Sequence, residues 1–213
     1  MIAYPEARDL VAPLYRALER VADRVMIVGA LRRREDVTGP IDILVRPSES
    51  PGDLFGGSQA DYDSVRAAVR GWGDVTRETP SVLEAVARGT SNLRAAILIV
   101  GPDTTWGWIV LRHTGPLPFA RYVQRSLEGQ GIQVSSDGMR LLTSSSAVVE
   151  AVDEATVFAL AATAVVPPED RAAVEVAYDD MPAPRSTSRA ASHLRHRGEH
   201  QGRGMTIERD DDP

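Results

Sequence analysis

The chain contains no cysteine among its 213 residues, and only 5% of them are aromatic. The absence of cysteine excludes disulfide bonds and thiolate metal sites. Lysine is absent too, so all 24 basic residues are arginine. Together with the prevalence of alanine and valine, this bias is typical of GC-rich coding and indicates a bacterium of high genomic GC content or one of its phages.

Long apolar runs are missing as well. The longest, such as Ala95 to Val100, are far shorter than the roughly 20 residues that cross a bilayer. The amino end lacks the basic stretch and apolar core of a signal peptide. We therefore expect no membrane partner and a location in the bacterial cytoplasm, or in a virion if the chain is phage-encoded.

An excess of positive charge is the third absence. Thirty acidic residues against 24 basic ones give a net charge of -6. This balance argues against a protein whose whole surface neutralises nucleic acid, although local basic patches stay open. The apolar fraction of 43% suffices for the core of one domain or two small ones.

Residue spacing predicts a mixed α+β fold, in which a main sheet with flanking helices is followed by a smaller α+β region and a flexible tail. Helices are expected over residues 6–23, 61–72 and 119–129 and after Asp153, and residues 47–60 are expected to form a loop. Strands are expected at residues 25–28, 41–45, 95–100 and 106–111, the last two as an antiparallel pair, with a small hairpin over 132–142. Residues 82–87 fit either a helix or a strand.

The tail comprises residues 172–213, which are rich in Pro, Ser, Gly, Arg and His and have almost no large apolar side chain after Tyr178. This composition predicts a low-complexity segment. From Arg185 to Arg203 it holds five arginines and one glutamate, a pattern that suits contact with phosphate or with a protein assembly partner. A solubilising linker is the alternative, and the three tail histidines are expected to be solvated rather than to bind zinc.

One stretch combines glycine, arginine and a carboxylate between two predicted strands. It reads Val28-Gly29-Ala30-Leu31-Arg32-Arg33-Arg34-Glu35-Asp36-Val37-Thr38-Gly39-Pro40-Ile41-Asp42. Glycine lets backbone approach a phosphate, arginine offers forked hydrogen bonds, and a strand-borne aspartate can hold magnesium. The pattern suits a triphosphate site beside a metal ion, and it suits an exposed charged turn equally well.

This stretch resembles the nucleotidyltransferase motif of the family X DNA polymerases, which runs Gly-Ser, an apolar residue, Arg-Arg, a short variable stretch and Gly-Asp-x-Asp. Downstream, Arg112-His113-Thr114-Gly115-Pro116 is similar to the family's Tyr-Phe-Thr-Gly-Ser junction between palm and thumb, and Pro168 to Arg171 is similar to its Pro-x-x-Arg ending. The resemblance covers about residues 6–171. It implies an amino-terminal helix (1–23), a palm (24–111) and a thumb (112–171) before the tail.

The resemblance also implies roles for individual residues. Asp42 is the expected catalytic and metal-binding carboxylate. Contacts with the phosphates of a nucleotide are expected from Gly29, Ala30, Arg33 and Gly39. A basic cleft for nucleic acid is expected from Arg32, Arg34, Arg112, Thr114, Gly115, Arg121 and Arg125.

The metal site departs from the family pattern, in which three carboxylates surround two magnesium ions. The first position falls on Pro40, and the third falls on Ile97 or a neighbour in the uncharged run 95–100. A single carboxylate does not hold two divalent cations about 4 Å apart. We therefore expect no cofactor, or a weakly bound Mg²⁺ at Asp42.

Other acids are not expected to replace the lost ligands. Glu35 and Asp36 are expected to pair with neighbouring arginines or to cap a turn, and Asp103 lies in a Gly-Pro-Asp turn. Ala30 lacks the hydroxyl of the family's phosphate-binding serine. The surviving features are the scaffold and a partly basic cleft.

Aromatic side chains depart from the pattern too. Arg112 and His113 stand where the family has an aromatic pair that gates sugar and base. Trp106 and Trp108 alternate with a glycine on a predicted strand, so both are expected on one side, as a packing surface or as a platform for bases.

Two functions are consistent with these residues. The first is a nucleotidyltransferase-fold protein that has lost catalysis and serves as a nucleic-acid-binding or assembly module, with a phage virion as one setting. The alternative is an active metal-dependent nucleotidyltransferase that transfers a nucleotide to a nucleic-acid end or to a small acceptor.

Overall fold

The computed structural model describes residues 1–50, 59–89 and 93–174. The α-helices are α1 (Tyr4–Glu19), α2 (Gly29–Arg32), α3 (Tyr62–Trp72), α4 (Trp106–Thr114), α5 (Leu117–Gly129) and α6 (Glu154–Leu160), and a 3₁₀ segment spans Pro168–Ala173. The strands are β1 (Ala22–Ile27), β2 (Ile41–Pro47), β3 (Glu49–Ser50), β4 (Gln59–Ala60), β5 (Gly73–Glu78), β6 (Val82–Ala87), β7 (Arg94–Ile99), β8 (Gln133–Val134), β9 (Leu141–Leu142) and β10 (Val148–Val149). Apart from residues 172–174, the predicted tail, with its arginines and histidines, lies outside the described residues.

The main sheet has five strands in the order β1-β2-β7-β6-β5. The pair β2–β7 is parallel, and the other neighbours are antiparallel. A smaller sheet has the order β10-β9-β8, and β3 pairs with β4. This architecture confirms the predicted mixed α+β class. Within the described residues, no helix is long and apolar enough to cross a membrane.

Side chains of β2 alternate between two layers of the molecule. Its residues at odd positions, from Ile41 to Val45, are buried in a cluster with α1 and α3. Asp42, Leu44 and Arg46 therefore face the opposite layer, where Leu44 joins a cluster built mainly by α4, α5 and α6. One strand thus places Asp42 at one end of this face and Arg46 at the other.

Helix α4 crosses this second cluster and is buried on nearly all sides. Gly107 permits a close approach to the segment before α6, because a Cβ at this position would overlap the carbonyl of Asp153. The amide of Gly107 also donates to the carbonyl oxygen of Ala151 at 2.8 Å. The helix therefore connects the sheet to the carboxyl-terminal part of the body.

The prediction of a strand at residues 106–111 was wrong, as was its pairing with residues 95–100, because this segment begins α4. A helix that is apolar on all sides lacks the 3.6-residue periodicity that distinguishes helix from strand. Trp106 and Trp108 consequently do not share one strand face, and both are buried. The helix also runs across the predicted palm–thumb boundary at residues 111 and 112.

Several local predictions were confirmed. Asp61 caps α3 by accepting from the Ser64 amide at 3.0 Å, and Asp153 caps α6 through the Thr156 amide at 2.8 Å. Strands β8 and β9 form the predicted hairpin. The ambiguous residues 82–87 form β6, and β5 was missed because this edge strand is mostly polar and exposed. The predicted loop over 47–60 contains the short strands β3 and β4. The helix predicted to reach residue 23 ends at Glu19, because β1 begins at Ala22.

Candidate functional site

A cleft of about 440 Å³ opens where β1 ends, β2 begins and α4 is followed by α5. The turn at Gly29, the residues 37–42 and the residues 112–117 line it. All five residues predicted to contact nucleotide or metal line this cleft, namely Gly29, Ala30, Arg33, Gly39 and Asp42. Arg112, Thr114 and Gly115 from the predicted nucleic-acid set line the same cleft.

Asp42 is the carboxylate of this cleft. Gly29 has a φ of +66°, and a Cβ there would lie 2.8 Å from Oδ2 of Asp42. Glycine is therefore required both by the backbone conformation and by the neighbouring carboxylate. Burial raises the pKa of the Asp42 carboxyl, and the nearby Arg33 guanidinium acts in the opposite direction.

The strand register identifies what stands beside Asp42. In the parallel β2–β7 pair, Asp42 is opposite Ala96 and Ile43 is opposite Ile97. Ile97 is fully buried in the cluster of α1 and α3, so its side chain faces away from the cleft. The prediction for the third carboxylate position is therefore sharpened from Ile97 to its neighbour Ala96, a residue without any metal-binding group.

The next acid on this face is Glu84, which is opposite Ala96 on β6. It is two strands from Asp42, which corresponds to about 10 Å, and its Oε1 lies 3.1 Å from Arg77 Nη1. Across the described ranges, no group of three or more His, Cys, Asp or Glu side chains is arranged to hold a metal ion. The donor set around Asp42 does not fit a two-metal centre.

Arg33 is occupied by internal partners. Its Nε donates to Glu35 Oε1 at 2.8 Å and its Nη2 donates to Glu35 Oε2 at 2.6 Å. Its Nη1 donates to the carbonyl oxygen of Thr114. The hydrogen bonds from Arg33 hold the pKa of Glu35 below its ordinary value. A phosphate that binds Arg33 through both prongs of the fork must first displace Glu35.

Arg32 connects α2 to α6. Its Nη1 donates to Thr114 Oγ1 at 2.6 Å, and its Nη2 donates to Glu154 Oε2 at 2.6 Å. The other oxygen of Glu154 accepts from Arg171 Nη1 at 2.8 Å. Thr114 has no exposed surface, and both Nη atoms of Arg32 bind internal partners, so these groups are committed within the protein.

In the remaining part of the predicted nucleic-acid set, Arg34, Arg112 and Arg121 are exposed, Arg125 is half-buried and Gly115 is buried. Arg34 is largely exposed and lies 3.6 Å from Glu169. Arg112 lines the cleft and donates to the carbonyl oxygen of Gly138 at 2.7 Å. Arg121 is exposed on α5, and Arg125 lies one turn later. Gly115 has a φ of +63° and supplies the turn between α4 and α5.

Two further ionisable residues belong to the segments around the cleft, namely Asp36 and His113. Asp36 Oδ1 accepts from the amide of Tyr4, the first residue of α1, at 3.0 Å. This contact spans 32 positions and is not the cap of the following turn that was expected. His113 lines the cleft, where burial first and the charge of Arg112 second lower its pKa. Its imidazole is therefore neutral near pH 7.

Sequence reasoning missed a second cluster, at the other end of β2. Arg24, Arg46 and Arg140 line a cavity of about 630 Å³ together with Trp106. One sequence signal for this cluster was Arg46, which lies four residues after Asp42 and therefore on the same face of β2. Its partners could not be predicted, because they depend on the register of β1 and on the position of α4.

Comparison with known proteins supports the fold. No protein-family model matches the chain, and no curated protein matches it. Among solved structures, it is similar to the crystal structure of Leishmania infantum polymerase beta in a ternary P/T complex, with a TM-score of 0.61 and 15% sequence identity. The match covers 80% of this chain and 76% of that chain. The chain therefore has a polymerase β-like fold.

Proposed function

We propose that this chain is a nucleotidyltransferase-like protein that binds nucleic acid at its cleft and does not catalyse two-metal nucleotidyl transfer. The observation that supports the loss of transfer is the surroundings of Asp42, which has Pro40 two residues before it and Ala96 directly beside it. Two divalent cations at this position would have one carboxylate to offset their repulsion.

Nucleic-acid binding is supported by the cations that remain available at and beside the cleft. Arg112 donates to a neutral carbonyl group rather than to a carboxylate, so its charge is not compensated locally. Arg121 is exposed on the first turns of α5, the helix that follows the cleft. Guanidinium groups of this kind contact phosphodiesters without reading the base sequence.

The catalytic part is tested by primer extension with wild-type protein and Asp42→Asn, each with Mg²⁺ and with Mn²⁺. We expect no extended product from either protein. Product that depends on Asp42 would contradict the proposal and establish the alternative, an active nucleotidyltransferase that acts on a nucleic-acid end or a small acceptor.

The binding part is tested by fluorescence anisotropy with a labelled oligonucleotide over a series of salt concentrations. Affinity should fall steeply with salt, and the double variant Arg112→Gln, Arg121→Gln should bind at least about tenfold more weakly, since each lost phosphate contact removes a charge-assisted hydrogen bond. The double variant Arg77→Gln, Arg88→Gln is the matched control, because both arginines are exposed and ion-paired on the far part of the sheet. Absent or salt-independent binding would contradict this part.

Assembly through the tail, and a phage particle as its setting, concern residues after 174. Protein partners of the tail stay a prediction from its composition.

A further inference from the structure

Two arginines stand directly opposite each other at the carboxyl end of β2. The antiparallel register of β1 and β2 pairs Arg24 with Arg46. Like charges at directly opposed positions of a sheet are destabilising. Sequences that break a local rule of this kind tend to do so at functional sites.

Both guanidinium groups cover one indole ring. The Cζ atoms of Arg24 and Arg46 lie 5.9 Å and 5.4 Å from the ring centroid of Trp106, the first residue of α4. Their hydrogen bonds go to neutral acceptors, since Arg24 Nη1 donates to the Val152 carbonyl at 3.0 Å and Arg46 Nη2 donates to the Thr104 carbonyl at 2.7 Å. Arg24 Nε also lies 4.0 Å from Asp23 Oδ2, in an exposed ion pair. Because solvent screens that pair, the ring and the carbonyl groups hold the two cations in place and leave most of their charge available.

Arg46 in particular has unused binding capacity. Its Nε is buried and has no hydrogen-bond acceptor among the described residues. Burial lowers the pKa of Arg46, and the charge of Arg24 lowers it further, whereas Asp23, Asp103 and Glu49 act in the opposite direction. These three acids are exposed, so solvent screens their charges. A buried N–H without an acceptor costs free energy, in addition to the repulsion between the two opposed cations.

The cavity beside these groups is large enough for a ligand. It measures about 630 Å³ and is lined by Arg24, Arg46 and Arg140 together with Thr104, Thr105 and Trp106. Its acidic lining residues, Asp103 and Glu150, are exposed. The cavity shares no lining residue with the cleft at Asp42, and the two ends of β2 are about 13 Å apart along the strand.

We propose that this cavity is a second anion site, in which Arg24 and Arg46 clamp one phosphate group. A tetrahedral phosphate presents oxygens to two guanidinium groups at once, which offsets the repulsion within the cross-strand pair. The phosphate belongs either to a small phosphomonoester or to the backbone of a nucleic acid. The site is independent of the cleft and of its proposed function.

Trp106 provides the readout. Inorganic phosphate is titrated into the full-length protein at constant ionic strength, and tryptophan fluorescence is followed together with the heat of binding. Wild type should show saturable binding, Arg46→Met should bind at least about tenfold more weakly, and Trp106→Phe should lose the fluorescence change. Arg77→Met, which removes one exposed arginine of β5, is the charge-matched control and should bind like wild type.

A second arm uses an oligothymidylate with free hydroxyl ends in place of inorganic phosphate. Arg46-dependent binding of phosphate alone assigns the site to a phosphomonoester, and Arg46-dependent binding of the oligonucleotide assigns it to backbone phosphates. If neither probe binds with dependence on Arg46, the proposal is overturned, and Arg24→Met repeats the test should Arg46→Met fail to fold. The double variant Arg112→Gln, Arg121→Gln should leave the Trp106 response to inorganic phosphate unchanged, so failure of the cleft function is distinguishable from failure of this site.

Discussion

At the amino end of β2, Arg32 and Arg33 donate hydrogen bonds to carboxylates, whereas at the carboxyl end Arg24 and Arg46 donate theirs to carbonyl oxygens and cover an indole ring. The first end carries the more conspicuous sequence motif, with three arginines in succession. The second end carries one arginine on each of two strands. The comparison shows that the charge of a motif and the charge available to a ligand are different quantities, because partners distant in sequence decide the latter.

The largest loss of stability is expected when the contact between α6 and Arg32, beside the amino end of β2, is broken. Glu154→Gln leaves Arg171, whose side chain is 1% exposed, without its carboxylate, and it also releases Arg32. Removing one partner of a buried ion pair costs about 3 kcal/mol or more, measured as the free energy of unfolding in denaturant. Glu78→Gln is the matched control, because Glu78 also bridges two arginines but is 35% exposed; an equal loss in both variants would contradict the role of burial.

The contact of Glu154 with Arg32 and Arg171 also predicts that the stability of the protein depends on pH. Burial raises the pKa of Glu154, but hydrogen bonds from Arg32 and Arg171 prevail and hold it below the ordinary value of 4.5. The contribution of Glu154 to stability is therefore present above that value and is lost as the pH falls through the native pKa. The stability of Glu154→Gln should be less sensitive to pH over this range than that of wild type.

Gly107→Ala should destabilise the protein at both ends of β2, because Gly107 lies in α4. This helix reaches from Trp106 at the carboxyl end of β2 to Thr114 at its amino end. The added Cβ overlaps the carbonyl of Asp153, and overpacking against backbone costs about 2–3 kcal/mol. Thermal unfolding measures the loss. Gly71→Ala on α3 is the control, because a Cβ there meets nothing within 4 Å and alanine favours a helix. A Gly107→Ala protein as stable as wild type would mean that the segment before α6 moves freely.

Glu35→Gln should make an arginine at the amino end of β2 available to anions, as Arg24 and Arg46 are at the carboxyl end. The substitution releases Nε and Nη2 of Arg33 from their carboxylate partner. We expect the cleft to bind inorganic tripolyphosphate about three- to tenfold more tightly, as a charge-assisted pair becomes available. Isothermal titration calorimetry measures this change. Glu84→Gln removes an equally exposed carboxylate from Arg77 and should bind like wild type; equal affinities in all three proteins would show that Glu35 does not compete with anions.

The smallest effect concerns Asp42 itself. Its pKa is raised by burial from the ordinary 3.8, so the folded state binds a proton more strongly than the unfolded state does, and stability falls as the pH rises from 3.8 through the native value. Asp42→Asn should remove this fall and stabilise the protein at pH 7 by less than about 1 kcal/mol, because a half-buried group is screened by solvent. Asp61→Asn has the opposite sign, since the cap lowers the pKa of Asp61. Unfolding measured at several pH values separates the two.

Local signals in the sequence were sufficient for much of the fold. The cap at Asp61, the cap at Asp153 and the alternation of β2 each depend on residues within a few positions of one another. Helix α4 escaped prediction because burial on every side removes periodicity. The glycine and arginine motif indicated the residues that line the cleft. The third carboxylate position was predicted only as Ile97 or a neighbour, because a one-residue uncertainty in register exchanges the faces of a strand.

The electrostatic partners were not predictable in the same way. Arg32 and Glu154 are 122 positions apart in the chain, and Arg24 meets Arg46 only because of the β1–β2 register. No pattern within a window of sequence indicates either contact. A motif therefore predicts where arginines lie, and the tertiary structure determines which of them remain available to a ligand.

Arg171 gives the body an order of assembly. Its guanidinium lies over the rings of Phe119 and Phe158, at 5.3 Å and 5.6 Å from their centroids, while it holds Glu154. Since a chain is synthesised from its amino end, the sheet, α4 and both phenylalanines are complete before Arg171 exists. During synthesis the cluster of α5 and α6 lacks this contact until the 3₁₀ segment is added, and we expect its packing to be completed only then.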